Sequence, residues 1–201
     1  MRRLAADLPG HFLSPIRKFR FAGCASTQIE TTGAALKEPL CTPGGPALST
    51  AVYWGPQWRA DQKESSLREA AALRGIEDFL SHAKCLSVTG VYRLPTEASA
   101  PSDEALLRLS ERTSPGPERP VLIVVRELGP GLFIGLPALI EGGTEVLVDV
   151  RVLNTATSES MADTRTLWRN GGTFVVKGVK TLDQDMSAAL GATLMPNLSG
   201  K

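Results

Sequence analysis

Three cysteines, Cys24, Cys41 and Cys85, are the residues of this 201-residue chain whose type and setting could carry chemistry. Cys24 stands in Phe21-Ala22-Gly23-Cys24-Ala25-Ser26-Thr27, with two small residues before the thiol and small polar ones after it. A cysteine thiolate is a nucleophile. There is no CxxC and no Cys/His spacing of the kind that holds a metal. The two histidines, His11 and His82, leave little room for His-dependent catalysis. His82 reads as the last turn of a helix, where the dipole favours an imidazolium. Asp183 and Asp185 lie close together but fit the first turn of a helix. Glu127, Glu141 and Arg126 flank a Gly/Pro-rich stretch and are the polar groups on which a small-molecule pocket could draw. The glycines Gly129, Gly131, Gly142 and Gly143 lack the spacing of a phosphate-binding loop or a dinucleotide fingerprint, and no G-x-S-x-G turn occurs.

Composition narrows the classes further. With 22 Lys and Arg against 21 Asp and Glu, the net charge is +1, and 42% of residues are hydrophobic. That is enough for a core, excludes global disorder, and provides no basic footprint for nucleic acid. The longest uncharged apolar run, Leu128 to Ile140, is interrupted by Gly and Pro and falls short of the ~18 residues of a spanning helix.

The elements that must position these residues follow from punctuation and period. Residues 1–23 read as a basic leader. Residues 24–46, ending in Thr42-Pro43-Gly44-Gly45-Pro46, read as a flexible tether, and 47–201 as the globular domain. Within the domain, Ala47 to Trp54 is a strand. Asp61 with Glu64 has capping-box spacing for a helix, whose face carries Ala72, Leu73, Ile76, Phe79, Leu80 and Ala83. Cys85 to Arg93 is a strand, Asp103 to Arg112 a short helix after Ser102, and Val121 to Val125 a strand covered on both faces. A Gly/Pro-rich connection over 128–143 leads to Glu145 to Leu153, where Val146, Val148, Val150 and Val152 alternate. Met161 to Arg169 completes a hairpin, Gly171-Gly172 interrupts it, and Thr181 with Gln184 opens a last helix. The fold expected is a single α/β domain, a mixed β-sheet with helices packed on it in the order strand-helix-strand-helix-strand-hairpin-helix. Tyr53 and Trp54 read as core. Trp58, Trp168, Phe133 and Ile134 are candidates for an interface with a partner or, for the indoles, a headgroup layer.

The Phe21 to Thr27 stretch resembles the lipobox of bacterial lipoproteins, in which a protease that admits only small side chains cuts before the Cys and the thiol is diacylated. The resemblance implies lipidation of Cys24 and an acyl anchor worth ~0.8 kcal/mol per buried methylene. Arg17-Lys18-Phe19-Arg20 stands where such a leader carries its apolar run, and the alternative is an ordinary small-residue turn around a cysteine. In the oxidising periplasm that a lipoprotein reaches, Cys41 and Cys85 could pair; the other reading is two unrelated thiols. From about Ala47 to Met195 the order of elements resembles the bacterial envelope lipoproteins that share the TolB amino-terminal-domain fold, with CsgG-like and PelC-like members. The likeness is carried by Val146 to Leu153, leading through Thr155 to Glu159 into Ala162 to Trp168 and then the helix Leu182 to Met195. It implies a non-enzymatic, cofactor-free, often ring-forming protein anchored at the periplasmic face of the outer membrane, binding or assembling components of envelope maintenance or export. Its partners would be the membrane, through the acyl anchor, and copies of itself or other envelope proteins. The competing expectation is a soluble small-molecule-binding domain or enzyme built around 128–143.

Overall fold

The computed structural model describes residues 26–135, 139–173 and 177–196. Its strands are β1 (Ser26–Ala34), β2 (Leu48–Pro56), β3 (Leu86–Arg93), β4 (Arg119–Gly135), β5 (Leu139–Asn154) and β6 (Glu159–Thr173), and its helices are α1 (Ser65–His82), α2 (Asp103–Glu111) and α3 (Leu182–Leu194). The six strands form one mixed sheet in the order β1-β6-β5-β4-β2-β3, in which β2 runs parallel to both β3 and β4 and the other pairs are antiparallel. The chain is thus the single α/β domain expected.

Alternation decides which side of each strand meets the helices. Val146, Val148, Val150 and Val152 are at most 1% exposed and share a core with Ile123, Val125 and the inner faces of α1 and α3. Each such side chain contributes roughly 1.5–3 kcal/mol by leaving water. The amphipathic face of α1 is as the spacing predicts, with Ala72, Ile76 and Phe79 buried and Leu73, Leu80 and Ala83 packed against the core's rim. The opposite face of the sheet carries a smaller core, where α2 places Leu106 against Tyr53, Leu122 and Val124. Ser102 caps α2 by accepting the Ala105 N–H, and Asp103 and Glu104 sit in its first turn.

The other two helix starts differ from expectation. Asp61 and Glu64 form no capping box; α1 begins at Ser65 after Glu64, which adopts a left-handed backbone (φ 55°) with no side-chain cap. The entry is held by Arg68, whose Nε donates to Lys63 O at 2.9 Å. Thr181 likewise makes no cap bond and its hydroxyl donates to Asp185, at 3.4 Å.

Two segments assigned to connections are strands. Ser26–Ala34, expected within the tether, pairs along its whole length with β6 as the sheet's edge. Its residues are all exposed, so composition could not mark it: an edge strand needs a neighbour's backbone, not a hydrophobic face. Part of the remaining tether is docked as well. Leu36, Leu40 and Cys41 pack on the main core, and Leu40 N donates to Leu194 O at 2.8 Å. The 128–143 connection is a two-stranded continuation of β4 and β5, paired as far as Gly135 and Leu139. Pro130 is tolerated because β4 loses β2 as a neighbour after Val125, so its missing N–H breaks no ladder on that side. Gly171 and Gly172 lie inside β6 rather than interrupting it. Phe174 to Val176 lie outside the described residues.

Candidate functional site

The disulfide is present: Cys41 and Cys85 are bonded with Cα atoms 5.7 Å apart, 44 residues apart in sequence. It ties the segment after β1 to the chain between α1 and β3, and Leu48 N donates to Cys85 O beside it at 2.9 Å. Next to the bridge a groove of about 660 Å³ is lined by Phe79, His82, Lys84, Gly44, Gly191 and Met195. His82 closes the last turn of α1 as expected; it is exposed, and its Nδ1 lies 2.8 Å from Asp78 O.

The polar residues flanking 128–143 do not converge. A β-bulge between Val125 and Glu127 makes Arg126 the extra residue of β4, and consecutive side chains go to different partners. Glu127 accepts from Gln62 Nε2 at 3.0 Å and forms ion pairs with Arg59 at 2.9 Å and Arg68 at 3.1 Å. Arg68 also donates to Leu128 O at 2.5 Å, and a Cβ at Gly129 would fall on its guanidinium. A side chain there would have to displace that guanidinium from its place across the strand. Arg126 instead pairs with Asp149, which Arg165 holds from β6 at 2.6 and 2.9 Å. The Glu141 side chain lies outside the described residues. Arg126 and Glu127, committed to separate clusters, do not build the shared pocket that the enzyme alternative needs.

Asp149 is one rung of a charged ladder on the sheet face away from α1 and α3. Cross-strand register sets Glu145 opposite Arg169, Asp149 opposite Arg165 and Arg151 opposite Asp163; the three pairs lie at 2.9, 2.6 and 3.6 Å. Burial acts to raise the Asp149 carboxyl, but hydrogen bonds from Arg165 and Arg126, with their charges, outweigh it and hold the group below the usual carboxylate value. Burial also pushes the Tyr53 phenol up, partly offset by its hydrogen bond to Thr113 at 2.8 Å. Asp185 lies in the first turn of α3, as read, and is buried. It accepts from Asn170 Nδ2 at 3.3 Å, from Lys177 Nζ at 3.5 Å and from Thr181, so it pins α3 to the sheet.

The interface candidates divide. Trp168 is 3% exposed and belongs to the main core, so its indole faces α3's layer and not a partner. Trp58 is half-buried on the core's rim. Tyr53 and Trp54 are core, as expected. The Phe133 and Ile134 side chains lie outside the described residues, but their backbones are placed, opposite Glu141 and Ile140 in the β4–β5 arm. Cys24 is likewise outside, two residues before β1 begins. Among the described residues no cluster of His, Cys, Asp and Glu could hold a metal, and no helix is long and apolar enough to cross a membrane.

No family model matches the chain, and no curated protein matches it. It is similar to the PelC dodecamer from Paraburkholderia phytofirmans at 10% identity, over 85% of this chain and 99% of that one, with a TM-score of 0.43. A neuraminyllactose-binding hemagglutinin homologue from Helicobacter pylori is 9% identical over 77% of this chain and 83% of its own, TM-score 0.35. A DUF330 protein from Xanthomonas campestris is 12% identical over 83% and 88%, TM-score 0.34.

Proposed function

We propose that this chain is a bacterial envelope lipoprotein, diacylated at Cys24, whose α/β domain serves as a non-enzymatic binding or assembly component on the periplasmic face of the outer membrane. The observation that carries this reading is the Cys41–Cys85 bridge. Structural disulfides belong to oxidising compartments and are rare in the cytosol, and this one leaves Cys24, in its small-residue setting, as the remaining cysteine. The start of β1 at Ser26 changes the geometry expected of the anchor. Two residues span at most ~7 Å, so an acylated Cys24 holds the domain against the bilayer rather than on a long tether. Among the described residues no strand lies on the outer side of β1, and an unpaired edge is a template for strand pairing, which supports self-association as the assembly mode.

Intact-mass measurement of membrane-extracted protein tests the anchor: a diacylated species beginning at Cys24 is expected, whereas an unmodified Cys24 with residues 1–23 retained would sink it. Light scattering of the extracted protein tests self-association, which a monomer at micromolar concentration would exclude.

A further inference from the structure

β1 and β3 are the outermost strands of the sheet, and among the described residues neither has a strand on its outer side. All nine residues of β1 are exposed, as are Ser87, Val88, Tyr92 and Arg93 of β3. Free edges are commonly blunted by charge or proline. From Leu86 to Tyr92 β3 carries neither, and β1 carries a single charge, Glu30. Five large hydrophobic side chains are exposed among the described residues, and three of them, Ile29, Val88 and Tyr92, lie on these two strands. Direction and facing also match. Followed from ladder to ladder, β1 runs opposite to β3. Ile29 lies across from Trp168, and Val88 across from Thr50, which shares a face of β2 with Val52 and Trp54. Trp168, Val52 and Trp54 belong to the core under α1 and α3, so Ile29 and Val88 stand on the same side of the sheet, at its two ends.

We infer that β3 of one copy of this chain receives β1 of the next, so that the sheet continues antiparallel from chain to chain with every α1 and α3 on one side. The inference rests on the self-association proposed above and names the second surface that it uses. Setting Ile29 across from Val88 makes an apolar cross-strand pair on the helix side. On the other side it places Glu30 across from Ser87, whose hydroxyl can donate to the carboxylate, and it brings no like charges together. Pairing β1 with its own copy does worse in either register. Centred on Glu30 it sets two carboxylates side by side, and centred on Ile29 it leaves β3 and Val88 uncovered. A contact between two different edges is heterologous, so it repeats from copy to copy. In the dissociated chain β1 is an edge; in the assembly it is an inner strand.

The test uses the full chain extracted from membranes in mild detergent, with intact mass reporting Cys24 and light scattering reporting the protein mass per particle. Wild type should be multimeric at micromolar concentration, and Ile29→Lys and Val88→Lys should each reduce it to single chains. An equimolar mixture of the two variants should then give particles of two chains and nothing larger, because the intact β3 of one meets the intact β1 of the other. Multimers that persist in either variant, or a mixture that stays monomeric, overturn the inference while self-association stands. A monomeric wild type overturns both. Urea unfolding checks that each variant is folded; where one is not, Thr27→Lys or Ser87→Lys on the same strand decides in its place. If Cys24 is unmodified, the anchor reading fails by itself, and the same measurements on the soluble protein decide the edges by the same outcomes.

Discussion

Asp149 illustrates how a residue of ordinary type acquires its role from register. Its carboxylate is held below the usual value by Arg165 and Arg126, so it favours the folded state while ionised. That contribution is present above the unfolded carboxyl value of about 3.9 and is lost as pH falls through the lower folded one. Asp149→Asn should therefore be less stable than wild type near pH 7, with the gap closing below about pH 4; thermal unfolding across pH 2.5–7 measures it, and a gap constant with pH would refute the ion-pair account. Trp168 makes the complementary point. Its neighbours Arg165 and Arg169 suggest a surface, yet residues one or three apart on a strand face opposite sides. Trp168 shares its side with Val146, its cross-strand partner, and is buried. Trp168→Ala should cost about 3–5 kcal/mol by cavity formation, read from urea unfolding.

At the scale of elements, α1 and α3 approach closely at Gly75. A Cβ at Gly75 would lie 2.5 Å from Met186 Cβ and 2.6 Å from Asp183 O. Helix propensity alone predicts that Gly75→Ala stabilises by ~1 kcal/mol; overpacking at this contact predicts a loss of about 1–3 kcal/mol. Packing should win, because one of the atoms met is backbone, and a lower urea midpoint at unchanged m-value will show it. β1 sits at the other extreme, an exposed edge strand joined to the sheet on one side. In the dissociated chain the β1 amides should exchange with deuterium well before those of β5, which is flanked by β4 and β6. Equal protection of β1 and β5 would mean that the edge is covered in solution. Strands of this kind are hard to read in sequence: β1 has no hydrophobic alternation because all of its residues are exposed.

For the whole molecule, the disulfide closes a 44-residue separation and contributes about 4 kcal/mol by the chain-entropy relation. Urea unfolding with and without reductant should differ by up to that amount, and indistinguishable midpoints would show the bridge to be absent in solution. The pairing was one of two readings of Cys41 and Cys85 in sequence, since spacing alone does not bring thiols together; the docking of Leu36 to Cys41 under α3 does. The sequence by itself determined the fold class, the inward faces of α1 and β5, the β5–β6 hairpin and the Cys24 setting, because each is a local pattern of period, turn chemistry or small residues. Only the tertiary structure decided that Ser26 to Ala34 is a strand, that the stretch expected as a connection over 128–143 continues β4 and β5, and that Arg126 and Glu127 part company at a bulge. Those facts depend on which backbone lies beside which, and a cross-strand neighbour is set by register, a long-range property that no window of sequence contains.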